Sequence, residues 1–228
     1  MSAERWEDAR RLEGWAGEAR VNLLRAAAVI AFYGQHLLNL YAFHDDLGFA
    51  DAAQRGWFHA AVTAIVLGWA LAVLVVYECL SRRWVPPALM YVTTLVDLTL
   101  VTALLVVTPV TRESPGGPHS ALIFLYFVVL AASPLRLSLR LVQVTTFATW
   151  AAALLMMGYY VFFRVGTDRY YAADSPYCVA RSSEVLFLLA TGVCGLFAGQ
   201  VVRQARRLVE GHPVTVRGPH GEGGERAA

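Results

Sequence analysis

The chain has 228 residues, of which 57% are hydrophobic and only 16% charged, and its net charge is +2. That apolar share exceeds what one soluble core of this size can enclose behind a polar surface, which excludes a water-soluble enzyme. Intrinsic disorder is excluded too, and the near-balanced charge gives no general nucleic-acid-binding surface, so no nucleic-acid partner is expected.

Residues 1–20 mix Trp6, Leu12 and Trp15 with closely spaced charges. They read as a helix lying at the cytoplasmic interface before the chain turns into the membrane. A bilayer core of about 30 Å takes about 20 mostly apolar residues in helical form. Six segments within residues 21–203 meet that test: 26–43, 56–77, 85–110, a shorter one at 120–135, 141–163 and 185–202. None alternates with the period of a barrel strand, so each is a helix. The predicted fold class is therefore all-α: a polytopic membrane protein built as a six-transmembrane-helix bundle. The first span is too long for a signal-peptide core and has no clear small-residue cleavage site, so it is expected to be retained. Residues 204–210 continue the sixth span as a cytoplasmic exit helix. Residues 211–228, rich in glycine and charge, read as a disordered tail.

All 19 basic residues are arginine. With the N-terminus inside, 14 of them fall on the cytoplasmic side and 5 outside. Both termini are thus expected in the cytoplasm, with the chain in the inner (plasma) membrane.

Phosphate loops, dinucleotide-binding glycine patterns, nucleophile elbows and zinc-protease motifs are all missing, so an enzyme is not expected. Asp97 is the one acid within a predicted span, where an ionised carboxylate must be paired, wetted or neutral. Thr93 lies one turn before it and, with Thr94 and Val101, shares its side. The pair reads either as an intramembrane polar switch or as a clamp to a neighbouring helix; no arginine within a predicted span offers a partner.

His36, His44 and His59, with Asp45 beside them, gather on the outer side, and His119 opens the fourth span. Imidazole and carboxylate together suit a transition metal, and His36 with His59 on facing helices suits haem; ordinary interfacial polar residues are the other reading. No cofactor is named by the sequence. Of the cysteines, only Cys178 lies in an outer loop, so no intramolecular disulfide is expected. Gly192, Gly195 and Gly199 give the sixth span a small-residue face that admits close helix packing, and a homodimer through that helix is one outcome.

The stretches LVDLTLVTALLVVTPVTRESPGG and ALIFLYFVVLAASPLRLSLRLVQVTTFATWAAALLMMGYY carry a further pattern. Its features are the third-span acid (Asp97), the Ser114–Gly117 turn, Leu125 and Tyr126 in the fourth span, the Arg136/Arg140 inner turn and the exit GQVVRQARRLVE. In these features residues 20 to 210 resemble the six-helix membrane domains of bacterial class III adenylate cyclases and related sensor histidine kinases. There the exit helix leads into a catalytic domain, whereas here 18 residues follow Glu210. The resemblance implies a sensor or anchor without its own output, acting on a separate cyclase or kinase partner, or else a truncated or split gene product. The competing readings are a haem or metal redox protein, an ion-transport protein, and a structural subunit of a membrane complex. The lipid bilayer is the partner common to all of them.

Overall fold

The computed structural model describes residues 3–42, 52–84, 86, 88–111, 121–166 and 181–211. In chain order the helices are α1 (Ala3–Tyr41), α2 (Ala52–Ser81), α3 (Leu89–Thr111), α4 (Leu125–Ala132), α5 (Leu139–Tyr159) and α6 (Arg181–Gly211). No strand occurs among the described residues. Five helices are long and apolar enough to cross a membrane, over Gly14–Tyr41, Ala52–Ser81, Leu89–Val107, Leu139–Phe163 and Ser182–Arg207. Leu122–Arg136 is a shorter apolar helix. The protein is an all-α, multi-pass membrane protein, as the order of apolar runs predicts.

The short fourth element is stretched by its own geometry. α4 is flanked by 3-10 segments, Ala121–Phe124 before it and Ser133–Arg136 after it. Because 3-10 residues rise further than α residues, the whole element reaches about 28 Å, close to the hydrocarbon thickness. Pro134 sits in the first turn of the second 3-10 segment, where a missing N–H costs nothing. Leu137 then takes a left-handed conformation (φ 51°), and Ser138 caps α5 by accepting the Leu141 N–H at 3.3 Å. This tight reversal fixes the direction of the Arg136 side chain.

Packing orders the helices. α2 lies against α1 and α3, α5 lies against α3 and α6, and α4 fills the space between α3, α5 and α6. The central core joins Trp69, Leu98, Val101, Leu105, Tyr126, Met156 and Tyr160. Tyr126 is fully buried, and its hydroxyl is satisfied by Thr102 Oγ1 at 2.8 Å. The Tyr160 hydroxyl donates to the Leu105 carbonyl at 3.3 Å, at the point where α5 passes into a π turn over Tyr160–Val165. Leu71, Leu155, Phe163, Leu189 and Leu196 point outward and exposed, as a bundle solvated by lipid requires.

α1 departs from the sequence expectation. It is one unbroken helix from Ala3 to Tyr41, with no turn near residue 20, and its apolar span begins at Gly14 rather than at residue 26. Hydropathy places Glu18 and Arg25 outside the membrane because it scores each charge as if it were solvated. In the fold both are buried and paired. Likewise α6 passes from the bundle through residues 204–210 without a break. The tail predicted beyond Gly211 lies outside the described residues.

Candidate functional site

Four buried charges meet inside the bundle: Glu18 and Arg25 of α1, Asp97 of α3, and Arg136 at the end of the α4 element. Glu18 and Arg25 are seven residues apart, two helical turns, so one face of α1 carries both. Arg25 Nε donates to both Asp97 oxygens, at 2.9 and 2.8 Å, and its Nη2 stands 2.8 Å from Oδ2. Its Nη1 reaches Glu18 Oε1 at 3.2 Å. Arg136 grips the same carboxylate from the other side, with Nη2 at 2.9 Å from Oε1 and Nε at 2.7 Å from Oε2. Charges therefore alternate along Asp97, Arg25, Glu18 and Arg136, and sum to zero.

Neutral donors and acceptors complete the cluster. Trp69 Nε1 of α2 donates to Asp97 Oδ1 at 3.0 Å. Arg136 also donates to Thr93 Oγ1 at 3.0 Å, to Thr94 Oγ1 and to the Met90 carbonyl at 3.2 Å. The close approach depends on Gly17. A Cβ there would lie 2.6 Å from the Leu135 carbonyl oxygen, so only glycine lets α1 press onto the turn that presents Arg136. An isolated ion in this setting costs several kcal/mol, whereas an alternating set in which every charge lies against an opposite one offsets much of that cost.

Asp97 and Thr93 lie in one cluster, with an arginine partner that span-by-span reading leaves out. Arg25 sits one residue before the first predicted span, and Arg136 one residue after the fourth. Two signals in the sequence point to them: the i, i+7 spacing of Glu18 and Arg25, and the need of a membrane acid for a cation. Neither carboxylate stands open to a passing ion, so the arrangement is a clamp among α1, α2, α3 and the α4–α5 turn.

The histidine group is placed only in part. His44, Asp45, His119 and Cys178 lie outside the described residues, as does the Ser114–Gly117 turn. His36 and His59 meet near the opposite end of α1 and α2, with His36 Nε2 and His59 Nδ1 3.0 Å apart. Tyr33 and Phe58 flank the His36 ring, at centroid distances of 6.1 and 5.5 Å. Among the described residues no three His, Cys, Asp or Glu side chains group to hold a metal. Two axial imidazoles of a haem would stand about 4 Å apart at ordinary metal–nitrogen lengths, with the iron between their lone pairs. Here each of the two nitrogens is committed to the other, so haem does not fit this pair.

The glycine face of α6 is filled by the chain itself. A Cβ at Gly192 would stand 2.9 Å from the Trp150 ring, one at Gly195 would overlap the Thr146 side chain, and one at Gly199 would touch Leu139 at 3.4 Å. Trp150 Nε1 also donates to the Leu188 carbonyl at 3.0 Å, locking α5 onto α6. The three glycines thus pack helices within one chain, and the homodimer expectation loses the surface it was drawn from. Cys79 and Cys194 are both free.

Beyond the bundle, α6 remains attached to the clamp. Arg206 donates to the Leu137 carbonyl from Nε at 3.2 Å and from Nη2 at 2.9 Å. Leu137 directly follows Arg136, so the exit helix is one residue removed from the buried charges. Comparison with known proteins adds no family to this description: no protein-family model, curated protein or solved structure matches the chain.

Proposed function

We propose that the chain is an integral membrane sensor or regulatory module that relays a rearrangement of its bundle to the cytoplasmic exit helix. One observation carries the reading: Arg136 enters the buried charge cluster while the next residue, Leu137, is held by Arg206 of the exit helix. A change in the cluster moves that turn, and the turn moves a helix that is continuous from the membrane to Gly211. The arginine asymmetry supports a cytoplasmic side of the plasma membrane for both termini, and with them for the exit helix. A separate cyclase or kinase is the partner that the resemblance implies there. Ion transport is the weaker reading, because Glu18 and Asp97, the buried carboxylates among the described residues, are already taken up by arginine.

Spin labels at Arg20→Cys and Arg207→Cys, in protein whose native cysteines are replaced by serine, test the relay in lipid nanodiscs. Asp97→Asn is expected to shift the distance distribution between the labels, and adding Arg206→Ala is expected to abolish that shift. An unchanged distribution in folded Asp97→Asn protein refutes the relay.

A further inference from the structure

The His36–His59 contact has an unusual geometry. The two rings are within 7° of parallel, and their centroids are 5.3 Å apart. That separation equals the 3.0 Å N···N distance plus the two ring radii, which is possible only if both nitrogens lie on the line between centroids. The rings therefore meet edge to edge in one plane, joined by a straight N–H···N bond between α1 and α2. Each ring donates in one tautomer and accepts in the other.

We propose that His36 and His59 form a shared-proton site, a latch between α1 and α2 that binds one added proton with the contact intact and opens when a second arrives. In the neutral pair one N–H faces one lone pair. One added proton makes an imidazolium–imidazole bond, which is charge-assisted and stronger than the neutral one. A second leaves two N–H groups facing each other at the same place, with two positive charges and no acceptor. The contact can then only separate.

The described surroundings make the pair its own main electrostatic partner. On α1 the titratable neighbour is Tyr33, packed on the His36 ring. On α2, Arg55 lies one turn before His59, exposed, and the Phe58 ring packs edge-on against His36. The packing around Phe58 adds Leu104 and Val107 from α3 and Leu122 from the α4 element, all apolar. With no described carboxylate among these neighbours, each imidazole is the nearest charge-bearing partner of the other. The inference rests on no part of the relay reading, and either can fail alone.

The test is nuclear magnetic resonance of full-length protein, 15N-labelled at histidine, in lipid nanodiscs. A through-bond 15N–15N coupling across a hydrogen bond is expected near neutral pH, joining the Nε2 of one histidine to the Nδ1 of another. Spectra of His36→Gln and His59→Gln assign it, each variant losing the coupling. As pH falls the coupling is expected to survive the first proton the pair takes up and to vanish with the second. Absence of the coupling in folded wild-type protein overturns the proposal, as does its loss at the first step. So does a coupling seen only after treatment with EDTA, since the pair would then be a metal-ligand pair.

Discussion

Asp97→Asn changes one oxygen to an amide nitrogen and leaves Arg25 without its anion. In the wild-type cluster Arg25 is shared between Asp97 and Glu18, while Glu18 is also held by Arg136. After the substitution two buried guanidiniums compete for a single carboxylate, and the cluster carries a net charge of +1. Breaking one side of a buried pair costs about 3–5 kcal/mol, chiefly for the charge left behind. Asn can still accept from Trp69 Nε1, so the loss belongs to the ion pair rather than to the tryptophan. Removing both partners in Arg25→Met/Asp97→Leu leaves Glu18 and Arg136 as a neutral couple. Its cost is the orphaned Trp69 N–H, about 1–3 kcal/mol, together with the lost Arg25–Glu18 contact, against which the relieved desolvation of two ions works. The double variant should therefore be at least ~1 kcal/mol more stable than Asp97→Asn alone. Reversible unfolding in mixed micelles, followed by helix signal against SDS mole fraction, reads both values. A single variant within about 1 kcal/mol of wild type would refute the clamp, as would a double variant no better than the single one.

Other outcomes follow from the helix contacts. Gly195→Leu should cost about 1–3 kcal/mol in the same assay, because its side chain enters the space of Thr146, and Thr146→Ala should recover part of the loss. Gly166→Ala, at φ 85°, should destabilise the end of the π turn by about 1 kcal/mol. Arg206→Ala should leave bundle stability unchanged while increasing the mobility of a spin label at residue 207, since it removes only the grip on the Leu137 carbonyl.

The positions of the six helices are legible from apolar run length, because a bilayer imposes its thickness on every span. Charges that neutralise one another across helices are not legible that way. Glu18, Arg25 and Arg136 each read as the polar edge of a span, and only the fold shows that the edges of two elements converge on Asp97 of a third. The 3-10 ends of the fourth element are hidden for a related reason: composition marks 120–135 as a shorter span, and the rise per residue that lets it reach across belongs to the backbone geometry. With Gly192, Gly195 and Gly199 the sequence identified a close-packing face but not its neighbour. Small residues specify how near a helix can come, while Trp150 and Thr146 decide which helix does. His36 and His59 were paired on chemistry alone, and their coplanar bond needed coordinates.

The alternating cluster also bears on how the chain is made. Arg25 and Glu18 lie on one helix and touch at 3.2 Å, so α1 can enter the bilayer as an internal zwitterion before anything else is synthesised. Asp97 emerges 72 residues after Arg25, and Arg136 emerges 118 residues after Glu18. At translation rates of about 5–20 residues per second, α1 waits roughly 4 to 24 s for its permanent partners. Insertion of α1 is thus provisional, and the reversal at Pro134–Ser138 is the step that commits the nascent chain. A chain stopped shortly before that point has Asp97 bound and Glu18 held by one arginine instead of two.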